Sequence, residues 1–153
     1  MSREEPECAA ALRPLSQISR RRDAMLPRFT YRVGCYDDEP AYALVFRRGY
    51  RAGLLTPRRA WRFVGSSLEA IRQGRDLERI AYACGVETEM LTHATFRGSH
   101  GDSVHILGHE LKYDGVRRQS RYWCPDCFAE QPYHRAAWDV ASHTHCVVHR
   151  RPL

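Results

Sequence analysis

The sequence has almost no lysine and no long hydrophobic run. Of its 24 lysine and arginine residues only Lys112 is lysine, a bias that genome composition can produce as readily as function. No stretch of eighteen apolar residues is present, which excludes a membrane-spanning helix, and the N-terminus lacks the apolar core of a secretory signal peptide. We therefore expect a cytoplasmic protein whose cysteines stay reduced.

Catalytic motifs are missing as well. The sequence contains no phosphate-cradling glycine loop, no dinucleotide fingerprint and no Ser-His-Asp pattern. A zinc-dependent deaminase would need a His-x-Glu motif and a proline directly before its Cys-x-x-Cys clip. Here His109 is followed directly by Glu110, and Trp123 precedes Cys124. The sequence therefore predicts a protein that is not an enzyme.

The positive charge is concentrated in the first half of the chain. The formal net charge is +6 over 153 residues, a length that suits one ordinary domain or two small ones. Residues 31–75 hold nine arginines and four acids, whereas residues 76–153 hold nine basic and ten acidic residues. This charge indicates an acidic partner, for which nucleic acid is the first candidate. The side chains that we expect to bind nucleic acid or a protein partner are Arg47, Arg48, Arg51, Arg58, Arg59 and Arg62.

Helix signals fill the segment that carries these arginines. Residues 1–25 show no sustained period and predict a disordered tail, and residues 26–98 predict a helical domain. Acidic residues before Pro40 predict an N-cap, Ser66 predicts a second N-cap, and Asp76 predicts a third. Aromatic residues alternate with the arginines near position 61, which is typical either of a nucleic-acid surface or of a core stripe beside a solvated face.

Residues 77–91 have the spacing of a helix-turn-helix, although an ordinary helical hairpin remains an alternative. Ala81 is small enough for two helices to cross, and Gly85 suits the turn. The second helix would expose Glu87 and Glu89, which DNA phosphates would repel. Docking of a protein is therefore at least as well supported as entry into the major groove.

Two ligand pairs near the C-terminus predict a metal site. Eighteen residues separate a Cys-x-x-Cys clip from a Cys-x-x-His clip. One structural Zn²⁺ with four protein ligands is the favoured interpretation, because zinc prefers thiolate and imidazole; disulfides or free thiols are the alternatives. The predicted ligands are Cys124, Cys127, Cys146 and His149, with His134, His143 and His145 as second choices for the fourth position.

The sequence predicts a mainly α fold, with an N-terminal helical helix-turn-helix domain and a small C-terminal α+β zinc-binding lobe over residues 99–153. In this lobe we expect a strand over residues 104–107, a short helix within residues 128–138 and a returning strand over residues 140–145. Tyr133 and Trp138 are expected to pack over the metal.

Three stretches resemble the TniQ family, also called TnsD-like, of transposition target-selection proteins. Leu26-Pro27 with Asp38-Glu39 and Arg47 looks like the opening segment of that family, and residues 77–91 lie where the family has its helix-turn-helix. The most specific stretch begins Arg121-Tyr122-Trp123-Cys124-Pro125-Asp126-Cys127-Phe128-Ala129-Glu130 and continues through Tyr133, Arg135, Trp138, Cys146, His149 and Leu153. Family members commonly continue into a second zinc ribbon, so we expect a minimal version or a fragment.

The resemblance implies a non-catalytic adaptor in DNA transposition. Such an adaptor would link a target site, recognised as DNA or through an RNA-guided complex, to the AAA+ regulator that recruits the transposase. It would act in the bacterial cytoplasm, at the nucleoid when bound, and it could form a homo-dimer. The alternatives are a stand-alone zinc-containing helix-turn-helix DNA-binding regulator and a protein-docking module without nucleic-acid affinity.

Overall fold

The structure, a computed structural model, describes residues 27–98, 102–117 and 122–153, so the predicted tail lies outside it. Helices dominate, as predicted, and they are followed by a small antiparallel sheet of three strands. The helices are α1 (Ala41–Arg51), α2 (Pro57–Phe63), α3 (Leu68–Arg72), α4 (Leu77–Cys84), α5 (Thr88–Ala94) and α6 (Pro125–Glu130). The strands are β1 (Arg97–Gly98), β2 (Ser103–Ile106) and β3 (His109–Lys112), and 3-10 turns occupy Tyr113–Gly115 and Ala136–Asp139.

Helix α1 begins where the sequence predicts, but its acidic residues do not cap it. Pro40 occupies the N-cap position, and its side chain makes no capping hydrogen bond. The first amide of the helix, that of Ala41, instead donates a hydrogen bond of 2.9 Å to the Thr95 hydroxyl. The Asp38 carboxylate instead accepts hydrogen bonds from Tyr133 and Arg135, and the Glu39 carboxylate pairs with Arg47. The prediction of an acidic N-cap is therefore wrong.

Helices α1 and α2 cross at a glycine. A Cβ atom placed on Gly49 would lie only 2.4 Å from the Cβ of Ala60, which is why the two backbones can approach so closely. Leu44, Val45 and Ala60 are fully buried beside this crossing. The main core of the protein is built around it by residues from α1, α2, α3, α4 and α5.

The caps of α3 and α4 differ in detail from those predicted. Ser67 is the N-cap of α3, and its hydroxyl accepts a hydrogen bond of 3.1 Å from the Ala70 amide. Ser66, the predicted cap, donates instead to Asp76 at 2.8 Å. Asp76 does precede α4, but its side chain makes no capping hydrogen bond. The helix starts are confirmed to within a residue, and the predicted capping bonds are wrong.

Helices α4 and α5 are joined by a tight turn. Gly85 ends α4 with φ 62° and ψ 46°, a left-handed conformation that glycine adopts without strain. The Val86 amide then donates to the Ala81 carbonyl at 3.0 Å. Ile80 and Leu91 are fully buried in the main core. This segment is therefore a compact pair of helices, with its apolar side in the core.

The sheet follows α5 directly. Strands β1 and β2 pair from Arg97 opposite His105, and β2 and β3 pair from Ser103 opposite Lys112. Val104 and Ile106 face inward and form a second core cluster with residues such as Phe96 and Val140. The predicted strand over residues 104–107 is thus confirmed to within a residue.

The segment between the two clips is less regular than predicted. In place of a helix within residues 128–138, α6 ends at Glu130 and a separate 3-10 turn covers Ala136–Asp139. The predicted strand over residues 140–145 is reduced to isolated bridges, Val116 opposite Val140 and His145 opposite Pro152. The predicted helix is therefore right only at its two ends, and the predicted strand is wrong. Among the described residues, no helix is long and apolar enough to cross a bilayer.

Candidate functional site

Local backbone structure brings the four predicted metal ligands into position. Cys124 is the N-cap of α6, and Cys127 lies in the first turn of that helix. The second clip is a turn in which the Arg150 amide donates to the Cys146 carbonyl at 2.8 Å. The His149 amide lies 3.4 Å from the Cys146 sulfur, to which it donates. Each clip therefore presents two side chains to the same point.

The four ligand atoms form one compact cluster. The sulfur atoms and the imidazole nitrogen of Cys124, Cys127, Cys146 and His149 all lie within 4.8 Å of one another. The Cys127 and Cys146 sulfurs are 3.5 Å apart. His149 Nδ1 lies 3.5 Å from the Cys124 sulfur, 3.3 Å from the Cys127 sulfur and 3.7 Å from the Cys146 sulfur.

These distances fit a tetrahedral metal ion. With bonds of about 2.3 Å to sulfur and about 2.0–2.1 Å to nitrogen, the edges of a tetrahedron are about 3.8 Å between sulfurs and about 3.6 Å between sulfur and nitrogen. The 3.5 Å between the Cys127 and Cys146 sulfurs is close to such an edge and far from the length of a disulfide bond, about 2.05 Å. All five cysteines in the described part of the chain are free. The cluster could therefore bind one metal ion.

Hydrogen bonds around the cluster orient its ligands. His149 Nε2 lies 3.1 Å from Glu130 Oε1, which leaves Nδ1 directed at the sulfurs. Burial would raise the pKa of the Cys146 thiol, but hydrogen bonds from the amides of His149 and Val148 and from the His149 ring lower it to about 6. Burial raises the pKa of Cys127 to about 12, and its cysteine neighbours add to this.

The three alternative histidines lie elsewhere. His134 Nε2 is 3.0 Å from Asp139 Oδ1, and the imidazole makes an edge contact with Trp138. His143 Nδ1 is 3.0 Å from the Ala137 carbonyl, and His145 Nδ1 is 3.0 Å from the Thr144 hydroxyl. The four clustered residues of the described chain are the four that the clip spacing favours.

Only one of the two aromatic residues expected over the metal packs there. Trp138 is 4% exposed and belongs to the same apolar cluster as the ligand cysteines and Leu153. Tyr133 is not part of that cluster and stacks on Tyr36, with ring centroids 3.8 Å apart and planes 10° from parallel. The expectation is therefore right for Trp138 and wrong for Tyr133.

Tyr133 and Arg135 join the metal-ligand lobe to the start of α1. The Tyr133 phenol donates to Asp38 Oδ1 at 2.7 Å, and Arg135 Nη1 donates to Asp38 Oδ2 at 3.2 Å. The Asp38 carbonyl accepts a third bond, from the Ala136 amide at 2.8 Å. Burial raises the pKa of Tyr133 above its ordinary value, and Asp38 adds to the shift. Sequence reasoning missed this contact, because it assigned Asp38 to a cap.

A second buried contact links the same two regions. The Tyr42 phenol donates to Asp139, whose carboxylate is 2% exposed and also contacts His134. Tyr42 is on α1 and Asp139 lies in the last 3-10 turn, so a carboxylate and a phenol pair across the boundary between the predicted domains. The segment between the clips therefore packs against the predicted metal ligands through Trp138 and bonds to helix α1 through Asp139.

The structure places two of the six predicted arginines away from open surface. Arg47 is 16% exposed and donates to both oxygens of the fully buried Glu39. Arg48 is 2% exposed and donates to the Val33 carbonyl, while its Nε and Nη1 atoms have no partner among the described residues. Burial lowers the pKa of Arg48. Sequence periodicity did not predict these buried contacts, because it placed both arginines on the polar face of α1.

The other four predicted arginines are exposed. Arg51 ends α1, and Arg58, Arg59 and Arg62 lie on α2. In the part of the chain that the structure describes, their guanidinium groups form no hydrogen bond or ion pair. Their charges are therefore available to a partner.

Comparison with known proteins assigns the chain to a family. The family model TniQ matches residues 30–153, from before α1 to the C-terminus. The chain belongs to the TniQ family. This membership implies a role associated with transposition. No curated protein and no solved structure matches the chain.

Proposed function

We propose that this TniQ protein is a non-catalytic adaptor in DNA transposition. It links target-site recognition, on DNA or through an RNA-guided complex, to an AAA+ regulator in the bacterial cytoplasm. The observation that carries the proposal is the family match over residues 30–153, which spans both the helical region and the metal-ligand cluster. A match over both parts favours the adaptor role over a function that uses either part alone.

The chemistry of the donor set supports a structural role for its metal. Three thiolates and one imidazole are the ligands of structural zinc, and four protein ligands leave no position for a reacting water. We therefore propose one Zn²⁺ held by Cys124, Cys127, Cys146 and His149, which stabilises the fold of the lobe. The charge for binding a partner comes from the helical region, where four arginines are exposed.

A stand-alone DNA-binding regulator is the second candidate. It is favoured by the tight turn between α4 and α5, which suits a helix-turn-helix. The exposed side chains Glu87 and Glu89 at the start of α5 weigh against it, because they would approach the phosphates of DNA.

The test of the adaptor is a bridging experiment with the zinc-loaded chain. Immobilised target DNA, or the RNA-guided complex bound to its target, is incubated with the ATP-loaded AAA+ regulator of the same element. We expect the regulator to be retained only when this chain is present. Binding of DNA by the chain alone, with a steep dependence on salt and no retention of the regulator, would favour the DNA-binding regulator instead.

A further inference from the structure

We propose that a cleft between α3 and the three-stranded sheet binds a single nucleotide, that is, an aromatic base that carries a phosphate. The cleft has a volume of about 300 Å³, which is at the lower end of the range for small-molecule pockets, about 300–1,000 Å³. The metal ligands do not line it. The proposal goes beyond the adaptor function and does not depend on it.

Backbone contacts hold the walls of the cleft together. Gly74, in the turn after α3, has φ 67°, and a Cβ atom placed on it would lie 2.6 Å from the Phe96 carbonyl oxygen. This turn therefore packs directly against the residues that lead into β1. The 3-10 turn that follows β3 is tied to the sheet, because the Tyr113 amide donates to the Asp102 carbonyl at 2.6 Å. The walls are thus in place before a ligand binds, which lowers the entropic cost of binding.

The cleft carries an excess of positive charge. Among its described lining residues, Arg72, Arg75 and Arg117 are basic and only Glu69 is acidic. The Glu69 carboxylate accepts a hydrogen bond of 2.6 Å from the Gln73 amide group, its neighbour on the same wall. Guanidinium groups bind phosphate through pairs of parallel N–H donors. The charge of the cleft therefore selects an anionic ligand.

Two of the arginines keep their charge unneutralised within the described chain. The Arg117 guanidinium donates to the Trp138 and Ala141 carbonyls, each at 3.0 Å, and lies 4.0 Å from the centre of the Tyr122 ring. These neutral partners fix the position of its charge and leave the charge itself uncompensated. Arg75 is exposed, and its guanidinium forms no hydrogen bond or ion pair with the described residues.

Apolar side chains in the cleft identify the rest of the ligand. Phe96 and Val104 are buried, whereas the Tyr113 ring is 41% exposed. An aromatic ring of this kind is a surface on which a nucleobase can stack. Inorganic phosphate would leave these side chains uncovered, and a DNA duplex keeps its bases stacked inside the helix. A single nucleotide matches both the arginines and the apolar walls, whether it is free or stands unpaired at the end of a strand.

The test is calorimetric titration of the full zinc-loaded chain with AMP, adenosine and ribose 5-phosphate. We expect adenosine, which lacks the phosphate, and ribose 5-phosphate, which lacks the base, each to bind at least about tenfold more weakly than AMP. A single-stranded oligonucleotide with a 5′-phosphate distinguishes the two sources. Tighter binding of the oligonucleotide would assign the site to a strand end, and tighter binding of AMP would assign it to a free nucleotide.

Variants of the cleft test the assignment of its residues. Arg75→Gln should weaken the binding of AMP and of the oligonucleotide by about tenfold. Tyr113→Ser should weaken the binding of AMP and leave that of ribose 5-phosphate unchanged. Glu69→Gln should strengthen the binding of AMP, because it removes the one carboxylate among the described lining residues.

Arg58→Gln is the matched control, because Arg58 is an exposed arginine on α2, outside the cleft, and the charge change is the same as in Arg75→Gln. It should bind AMP as the wild type does. Absence of AMP binding, equal binding of AMP, adenosine and ribose 5-phosphate, equal loss in the two arginine variants, or displacement of AMP by a glutamate-rich peptide as readily as by the oligonucleotide would each overturn the inference. Retention of the AAA+ regulator is measured separately, so the adaptor function stands or falls independently.

Discussion

The phenol of Tyr133 donates a hydrogen bond of 2.7 Å to Asp38, a residue 95 positions earlier in the chain. Tyr133 lies between the two metal-binding clips, and Asp38 lies just before α1. Arg135 donates to the other oxygen of the same carboxylate. The segment between the two clips is thus bonded to the helical region, and we expect loss of either contact region to weaken the other.

Tyr133→Phe removes this hydrogen bond and keeps the ring stacked on Tyr36. Because the Asp38 carboxylate loses a donor, we expect a loss of about 1–3 kcal/mol in the free energy of unfolding, measured with urea. Tyr31→Phe, at a residue that is 63% exposed, is the control and should change little. An equal effect of both substitutions would contradict the assigned contact.

The same tyrosine predicts a dependence on alkaline pH. Burial and Asp38 raise the pKa of Tyr133 in the folded protein, whereas in the unfolded chain it ionises near pH 10. The folded state then binds more protons than the unfolded state above about pH 10, so the stabilisation is lost as pH rises. The stability advantage of wild type over Tyr133→Phe should shrink in that range.

Cys124→Ser is expected to abolish metal binding and unfold the lobe. Metal binding contributes on the order of 10 kcal/mol to the folding of such sites. Elemental analysis of the wild type should give about one zinc per chain, and the variant should give none. Cys35→Ser, at a half-buried cysteine outside the cluster, is the control and should keep its metal. Full retention of metal and structure by Cys124→Ser would refute the assignment.

Gly49→Ala is expected to push α1 away from α2. The added Cβ would lie 2.4 Å from the Cβ of Ala60, and overpacking of this kind costs about 1–3 kcal/mol. Gly34→Ala is the control, because its Cβ would meet nothing within 4 Å. Thermal unfolding of the two variants should separate them, and a Gly49→Ala protein as stable as wild type would show that the helices can shift at no cost.

Substitution by methionine at the two neighbouring arginines of α1, Arg47 and Arg48, should change the stability of the protein by different amounts. Arg47→Met leaves the fully buried Glu39 unpaired, which should cost about 3–5 kcal/mol. Arg48→Met removes a buried guanidinium whose Nε and Nη1 have no partner among the described residues. The free energy of unfolding of this variant should therefore stay within about 1 kcal/mol of that of the wild type. Equal losses in urea denaturation would contradict these assignments.

The metal-ligand cluster could be predicted from the sequence because it depends on local spacing. Cys124 and Cys127 are three residues apart at the start of one helix, and Cys146 and His149 are three apart in one turn. Short clips of this kind fix the direction of their side chains almost regardless of the rest of the fold. Helix starts and the strand at residues 103–106 were likewise readable from local signals.

Contacts between distant segments could not be read in this way. Asp38 looks like a helix cap because capping is the commonest local use of an acid before a helix, yet its partners are Tyr133 and Arg135. Arg48 looks like a surface residue, but tertiary packing buries it. Residues 140–145 are predicted as a strand, but in the described part of the chain only isolated bridges form there, Val140 with Val116 and His145 with Pro152.

The most direct test of the adaptor is the transposition frequency of a marked element in cells. Deletion of this chain, with the transposase and the AAA+ regulator intact, should abolish targeted insertion. Re-expression of the wild type should restore it, and Cys124→Ser should not. Targeted insertion at the wild-type frequency without the chain would contradict the proposal.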